Sequence, residues 1–255
     1  MQISEHTALV TGGASGLGEA VVRHFHQAGA NVVLVDLSAK RGHALQEELG
    51  ERSQFIPADV SEEEGLQKAV RMGVEKFGAI HIAVCCAGIG PPKRVLGKEG
   101  PMALDLFSHV IQVNLIGTFN TVRLAAEAMA TNPLESDGQR GVIVMTSSVA
   151  AFEGQVGQAA YSASKGGIIS MTLPMAREFA ALGIRVMTIA PGLFDTPLMA
   201  GLPEETRISL GKQVPFPNRL GRPREFAQLV GDVVANPMLN GEVIRLDGAI
   251  RMAPR

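Results

Sequence analysis

Runs of consecutive apolar residues alternate along this chain with stretches in which apolar positions recur every three or four residues. The continuous runs predict strands over 7–10, 31–35, 54–58, 80–85, 141–146, 184–190 and 242–246. The helical spacing predicts helices over 16–28, 39–49, 62–77, 103–130 and 158–182, with one more inside 221–235. Strands alternating with helices imply a mostly parallel sheet covered by helices on both faces. Strands of such a sheet are buried on both sides and read as unbroken apolar runs, as Val32-Val33-Leu34-Val35 and Val142-Ile143-Val144-Met145 do. The predicted fold class is α/β, a single doubly wound domain over 1–255. The segment 191–222 departs from the pattern: it carries many Pro and Gly and no clear strand. It follows the sixth strand at the end of the sheet where such folds bind ligands, so we expect it to form a substrate-covering lid.

Composition narrows the partners. Of 255 residues, 46% are hydrophobic and 19% charged, and the formal net charge is -2. That balance suits a packed soluble domain and creates no field favouring nucleic acid or an anionic membrane. No stretch is long and apolar enough to span a bilayer. The opening Met1-Gln2-Ile3-Ser4-Glu5-His6 has neither a basic nor an apolar leader pattern, so a cytoplasmic location is expected. The two cysteines, Cys85 and Cys86, are adjacent. Neighbours in an extended segment point to opposite faces, which makes a poor disulfide and a poor pair of metal ligands. We expect two small buried thiols and no metal site.

The first predicted strand leads into Thr11-Gly12-Gly13-Ala14-Ser15-Gly16-Leu17-Gly18. Glycines at 12, 16 and 18 allow a tight turn and close backbone approach. The following helix start offers unpaired N–H groups and a positive dipole end to a pyrophosphate. Asp36 ends the second strand, where a carboxylate accepts hydrogen bonds from the adenosine ribose of NAD and repels the 2′-phosphate of NADP. A turn or helix-capping aspartate is the competing reading. Asp59 and Val60 end the third strand. Asp59 also suits a capping role, although Ser61 is the better cap before Glu62-Glu63-Glu64.

Tyr161 is the only tyrosine, and Lys165 follows four residues later on a predicted helix, hence on the same face. A nearby ammonium favours the phenolate and is expected to lower the Tyr161 pKa toward neutrality. A half-buried tyrosine beside a solvated lysine is the plainer alternative. Ser148 ends the fifth strand and can hold a substrate oxygen beside Tyr161. Asn114 lies inside a predicted helix, where asparagine often bonds backbone groups, so a helix kink or a held water are both open.

Together, 11–18, Asp59, Ala87-Gly88, Asn114, Ser148, Tyr161-Ser162-Ala163-Ser164-Lys165 and Pro191-Gly192 resemble the short-chain dehydrogenase/reductase family over essentially the whole chain. The resemblance implies a seven-stranded Rossmann sheet and NAD as cofactor. It further implies an Asn114-Ser148-Tyr161-Lys165 tetrad: Ser148 orients the substrate oxygen and Tyr161 transfers the proton. Lys165 lowers the Tyr161 pKa and binds the nicotinamide ribose, and Asn114 holds a water. Cofactor contacts would come from Gly12, Ser15, Gly16, Leu17, Gly18, Asp36, Asp59, Val60, Ala87, Gly88, Pro191, Gly192, Phe194 and Thr196. Where the family often has Asn-Asn-Ala-Gly this chain has Cys85-Cys86-Ala87-Gly88, so Cys86 is expected to line the cofactor through its backbone alone.

The segments 148–158, 187–198 and 241–252 resemble the type 2 3-hydroxyacyl-CoA dehydrogenase branch, as does Leu173-Pro174, which is expected to kink its helix. The resemblance implies oxidation of a short 3-hydroxyacyl-CoA, with Gln155 reaching the substrate, and a homotetramer. Lys93, Arg94 and Lys98 form a basic cluster that either meets the CoA phosphates or stays solvated. Hydroxysteroid oxidation, 3-oxoacyl reduction and an RNA-processing scaffold role remain alternatives. Asp36 speaks against the NADPH-linked reductase, and the net charge gives the scaffold no support.

Overall fold

Aliphatic and β-branched residues dominate the strand runs, and their side chains sort onto the two sides of one sheet. In β1 (Thr7–Thr11), Ala8 and Val10 pack with Val21 and Phe25 of α1 (Gly16–Gln27) and with Phe226 and Val230 of α9 (Pro223–Ala235). Leu9, between them, packs on the other side with Leu66 of α3 (Glu63–Phe77). This alternation is the period of two that a strand imposes. β2 (Asn31–Asp36), β3 (Ser53–Pro57), β4 (Ile82–Cys85), β7 (Gly141–Thr146), β8 (Ile184–Pro191) and β9 (Val243–Leu246) complete the sheet. α2 (Ala39–Leu49) links β2 to β3, and the antiparallel pair β5 (Leu96–Gly97) and β6 (Gly100–Pro101) stands apart from it. The structure is a computed structural model and describes residues 1–201 and 203–254, the side chains at 198 and 200 excepted.

The seven strands run in the order β3-β2-β1-β4-β7-β8-β9, all parallel. The order reverses between β1 and β4, where Thr11 pairs with Cys85. Helices leaving these two strands part to opposite sides, which opens a crevice at their carboxyl ends. The doubly wound α/β sheet expected from the patterning is thus present. Among the described residues, no helix is long and apolar enough to cross a membrane.

Four local features differ from the sequence expectations or sharpen them. The helix expected over 103–130 is three pieces: α4 (Leu104–Ile111), a π-helical turn (Gln112–Ile116) and α5 (Gly117–Met129). Ser61 does not cap α3; its N–H and hydroxyl both donate to Asp59 Oδ1, at 2.8 and 2.7 Å, and Glu62 takes the cap position without a side-chain bond. The segment 191–222 carries two short helices, α7 (Pro197–Ala200) and α8 (Glu204–Gly211); position 202 lies outside the described residues. α6 (Ala159–Phe179) continues through Pro174. One buried charge is structural: the Arg185 guanidinium donates to the carbonyls of Val233, Val234 and Leu239, closing the carboxyl end of α9. Burial lowers its pKa only to about 10, so it stays charged.

Candidate active site

A cleft of about 420 Å³ lies at the carboxyl ends of the strands. Its floor is the turn after β1. Gly12 has φ +65°, and a Cβ there would sit 2.8 Å from the Ala87 nitrogen, so only glycine brings this turn against the loop after β4. A Cβ on Gly18 would meet the Gly12 carbonyl oxygen at 2.1 Å, which is why α1 can start directly on the turn. Ser15, the N-cap of α1, makes no side-chain cap bond. The first N–H groups of α1 therefore keep their capacity for an anion. Ser15, Gly16, Leu17 and Gly18 all line the cleft beside Gly12.

Asp36 reaches the cleft from the end of β2. Its Oδ2 accepts from the Ala14 N–H at 3.1 Å and its Oδ1 from the Ser38 N–H at 2.9 Å. The turn role and a cleft-facing position thus coexist in one carboxylate. Asp59 and Val60 line the next stretch of wall, and Cys86, Ala87 and Gly88 the floor beyond it. Cys85 is buried in the core on one side of the sheet, while Cys86 is only half-buried and turns toward the other. Thr146 Oγ1 donates to Cys86 Sγ at 3.6 Å, and burial pushes that thiol up to about 11, so it stays protonated near neutrality.

Tyr161 and Lys165 stand one turn apart on α6, and both face the cleft. Lys165 Nζ donates to the Thr146 carbonyl at 2.8 Å and lies 5.7 Å from the centre of the Tyr161 ring. Ser147 Oγ donates to the Lys165 carbonyl at 2.8 Å, tying α6 to the end of β7. Ser148 turns the chain out of β7, and its Oγ accepts from the Ala150 N–H at 3.1 Å. The electrostatics correct one expectation. Burial dominates at Tyr161 and raises its pKa, opposite to the lowering expected, and the nearby Ser148 hydroxyl works the other way. Lys165 is itself pushed down to about 8 by burial, because an ammonium loses hydration there.

Asn114 is fully buried in the π-helical turn, behind the cleft wall. Its Oδ1 accepts from the Ile89 N–H at 2.8 Å, and its Nδ2 donates to the Ile89 carbonyl at 2.8 Å and to Ser164 Oγ at 3.0 Å. Both amide hydrogens are thereby engaged, so its side chain has no donor left for a water.

At the far end, Pro191 and Thr196 line the cleft, but Gly192 and Phe194 do not. The Phe194 ring packs into the core against Gly221, where a Cβ would meet it at 2.8 Å. Gln155 is also outside the wall: its Nε2 donates to the Ala253 carbonyl at 2.9 Å. Lys93, Arg94 and Lys98 are exposed, and the Lys93 N–H donates to the Gly157 carbonyl at 2.9 Å, four residues before Tyr161. Sequence reasoning missed Arg41, in the first turn of α2, which lines the cleft and donates to Ser38 Oγ at 3.2 Å. It also missed Gly90, against whose α-carbon the Tyr161 ring packs; a Cβ there would lie 3.2 Å from the ring. No local signal marks either residue.

A profile of the family described as "short chain dehydrogenase" matches residues 6–207. The chain is 56% identical to the Bos taurus protein named 3-hydroxyacyl-CoA dehydrogenase type-2, covering 97% of this chain and 95% of that protein. It is 50% identical to the Drosophila melanogaster protein of the same name, covering 99% and 100%. A crystal structure of 3-hydroxyacyl-CoA dehydrogenase type-2 from Mycobacterium avium superposes with TM-score 0.94 at 40% identity over 100% of both chains. With the glycine turn, the parallel seven-stranded sheet and the paired tyrosine and lysine in its cleft, the chain belongs to the short-chain dehydrogenase family.

Proposed function

We propose that this enzyme oxidises the 3-hydroxyl of a short or branched 3-hydroxyacyl-CoA to the ketone, reversibly, with NAD as its cofactor. The observation that carries the chemistry is the pairing of Tyr161 with Lys165 in one cleft, with Ser148 beside the phenol. The acyl-CoA assignment rests on full-length likeness to proteins of that name. NAD, when bound, supplies the acceptor for the substrate hydride.

The residues present suit that cofactor. The glycine turn and the free N–H groups at the start of α1 fit a pyrophosphate. The Asp36 oxygens each accept one backbone N–H and keep a lone pair for a ribose hydroxyl. The same negative charge disfavours a 2′-phosphate. Ala87, Gly88, Pro191 and Thr196 border the remainder, and Lys165 is placed to donate to the nicotinamide ribose.

Ser148 holds the substrate oxygen, and Tyr161 Oη takes the proton of the alcohol during oxidation and returns it during reduction. Burial raises the Tyr161 pKa and keeps the phenol protonated, the form that reduction requires. In oxidation, the cationic form of Lys165 steadies the phenolate. Asn114 holds Ile89 and α6 in register through its side-chain amide, and a water of the proton relay binds at its remaining acceptor sites, on Oδ1 or the main-chain carbonyl. The segment 191–222 covers the substrate side. The basic loop at Lys93, Arg94 and Lys98 lies against the loop leading to Tyr161 and meets the CoA phosphates. A homotetramer belongs to the same reading.

Four measurements test it. Tyr161→Phe should retain NAD binding by calorimetry and lose roughly 10²–10⁴ in kcat with 3-hydroxybutyryl-CoA. In the unsubstituted enzyme oxidation should quicken as pH rises toward about 8 and fall once Lys165 loses its proton, while reduction slows; retained turnover in the variant defeats the acid/base role. kcat/KM with NAD should exceed that with NADP by about tenfold or more, equivalent to ~1.4 kcal/mol, and equal use of both removes Asp36 from cofactor choice. Replacing Lys93, Arg94 and Lys98 together by Gln should raise KM for acyl-CoA several-fold and leave a CoA-free analogue unaffected; parallel changes in both sink the phosphate contact.

The fourth concerns stability. Between about pH 8 and the ordinary lysine value of 10.5, the unfolded chain holds a proton at Lys165 that the folded chain lacks. Unfolding then takes up a proton, and this group's contribution to stability rises with pH across that window. At neutral pH the buried ammonium costs about 3 kcal/mol relative to a solvated one. Lys165→Met should therefore be more stable than the parent in urea at pH 7, with the gap closing by pH 10. A constant gap contradicts the argument.

A further inference from the structure

His6, His81 and Glu135 come from distant parts of the sequence and meet at the amino-terminal ends of the strands, opposite the cleft. His6 immediately precedes β1, His81 immediately precedes β4, and Glu135 lies in the loop before β7. One ligand atom from each lies within 4.8 Å of the other two, and all three residues are half-buried. His6 Nε2 and Glu135 Oε1 are in direct contact. The two imidazole rings stand edge to face, with centres 4.5 Å apart and planes at 83°.

The contacts of His6 set its tautomer. Its Nδ1 lies 2.9 Å from the Ser4 carbonyl oxygen, which can only accept, so Nδ1 carries a hydrogen. In the neutral ring Nε2 is then a bare lone pair facing a carboxylate oxygen. Two electron-rich atoms hold so close a contact only with a proton between them; a metal ion would take the same two atoms as ligands once the contact opened. A carbonyl bonded to the far nitrogen is also the arrangement that orients metal-bound histidines.

We infer that His6, His81 and Glu135 form a binding site for a divalent transition-metal ion of the zinc class, with the remaining coordination position left to water. Two imidazoles and one carboxylate suit zinc, cobalt, nickel or copper, whereas magnesium and calcium require a shell of oxygens. Closing tetrahedral bonds of ~2.0–2.1 Å asks the three side chains to draw in around one centre and the His6–Glu135 contact to open. His81 Nδ1 accepts from the Thr7 N–H at 3.2 Å. Ligation through Nδ1 displaces that bond, and ligation through Nε2 turns the ring away from it, so the Thr7 amide reports on metal arrival. The ion would cross-link the segment before β1, the start of β4 and the loop before β7. It stabilises the fold by binding the native state alone, and at this end of the sheet it takes no part in hydride transfer.

The test uses the full chain without an affinity tag, stripped with chelator and titrated with zinc chloride. Calorimetry should give one zinc per chain, and Tm should rise by about 5–10 °C at zinc concentrations ~100-fold above Kd. His81→Asn offers the Thr7 N–H an amide oxygen while removing a ligand, and Glu135→Gln keeps the side-chain shape. Each should unfold near the parent Tm without metal and bind zinc about tenfold or more weakly. The Thr7 amide resonance should move with zinc in the parent protein only. No zinc binding, no rise in Tm, or binding unchanged in both variants overturns the site; in the last case the ion sits elsewhere, and the His6–Glu135 contact is closed by a proton.

Discussion

The side-chain amide of Asn114 is the joint on which the catalytic wall depends. It donates to and accepts from the backbone of Ile89, and it donates to Ser164 on α6. Three pieces of chain that share no regular structure are thereby locked together: the loop leaving β4, the π-helical turn and the helix that carries Tyr161 and Lys165. The extra residue in that turn is what swings the Asn114 side chain out of the helical ladder toward Ile89; π turns inside helices commonly mark functional positions. The group is fully buried, so each bond it lost would leave an unpaired polar atom without water, a cost of about 1–3 kcal/mol apiece. This makes the joint stiff, and stiffness is what keeps the Tyr161 and Lys165 side chains on α6 aligned with a floor built from β1 and β4.

Around that joint the protein places charge where burial penalises it. Lys165 has one protein acceptor, the Thr146 carbonyl, and its pKa falls to about 8. Arg185 is buried as well but meets three carbonyls at the end of a helix, and it keeps its charge. Among the described residues the Arg185 Nε also lacks a partner, so neither charge is fully compensated; the difference is that Lys165 faces the cleft, where a ligand can meet its remaining N–H groups. Incomplete compensation is what an active-site ammonium needs, since its remaining N–H groups are free to meet a ligand. The raised pKa of Tyr161 follows the same logic: a dry phenol is reluctant to ionise until substrate and cofactor reshape its surroundings.

The parallel sheet divides the molecule into two ends with different chemistry. All strands point their carboxyl ends at the glycine turn, Asp36, Cys86 and the α6 pair, so a single crevice gathers residues from every crossing on that side. The opposite end receives the entering segments of β1, β4 and β7, and there His6, His81 and Glu135 converge. Between the two lies a core of fully buried aliphatic side chains, such as Leu9, Val33, Ile82 and Val144, that insulates one end from the other.

Local rules of the chain made much of this legible. Unbroken apolar runs can satisfy both faces of a buried strand, so the sheet and its class followed from the pattern of Val32–Val35 and Val142–Met145. Glycines between a strand and a helix mark a turn that needs close backbone approach, and a spacing of four puts Tyr161 and Lys165 on one helical face whatever surrounds them. What the sequence by itself could not determine depended on groups far apart along it. The π turn goes with the bonds of Asn114 to Ile89, 25 residues away. Phe194 enters the core because Gly221 leaves room for its ring, and Gln155 is drawn off to Ala253. The direction of the Tyr161 pKa was set by burial, which no neighbour four residues away reveals. His6 and Glu135 touch across 129 residues, and only the packing of β1 and β4 beside the loop before β7 brings them together. Periodicity and propensity act over a few residues; desolvation and long-range contact exist only once the chain has closed on itself.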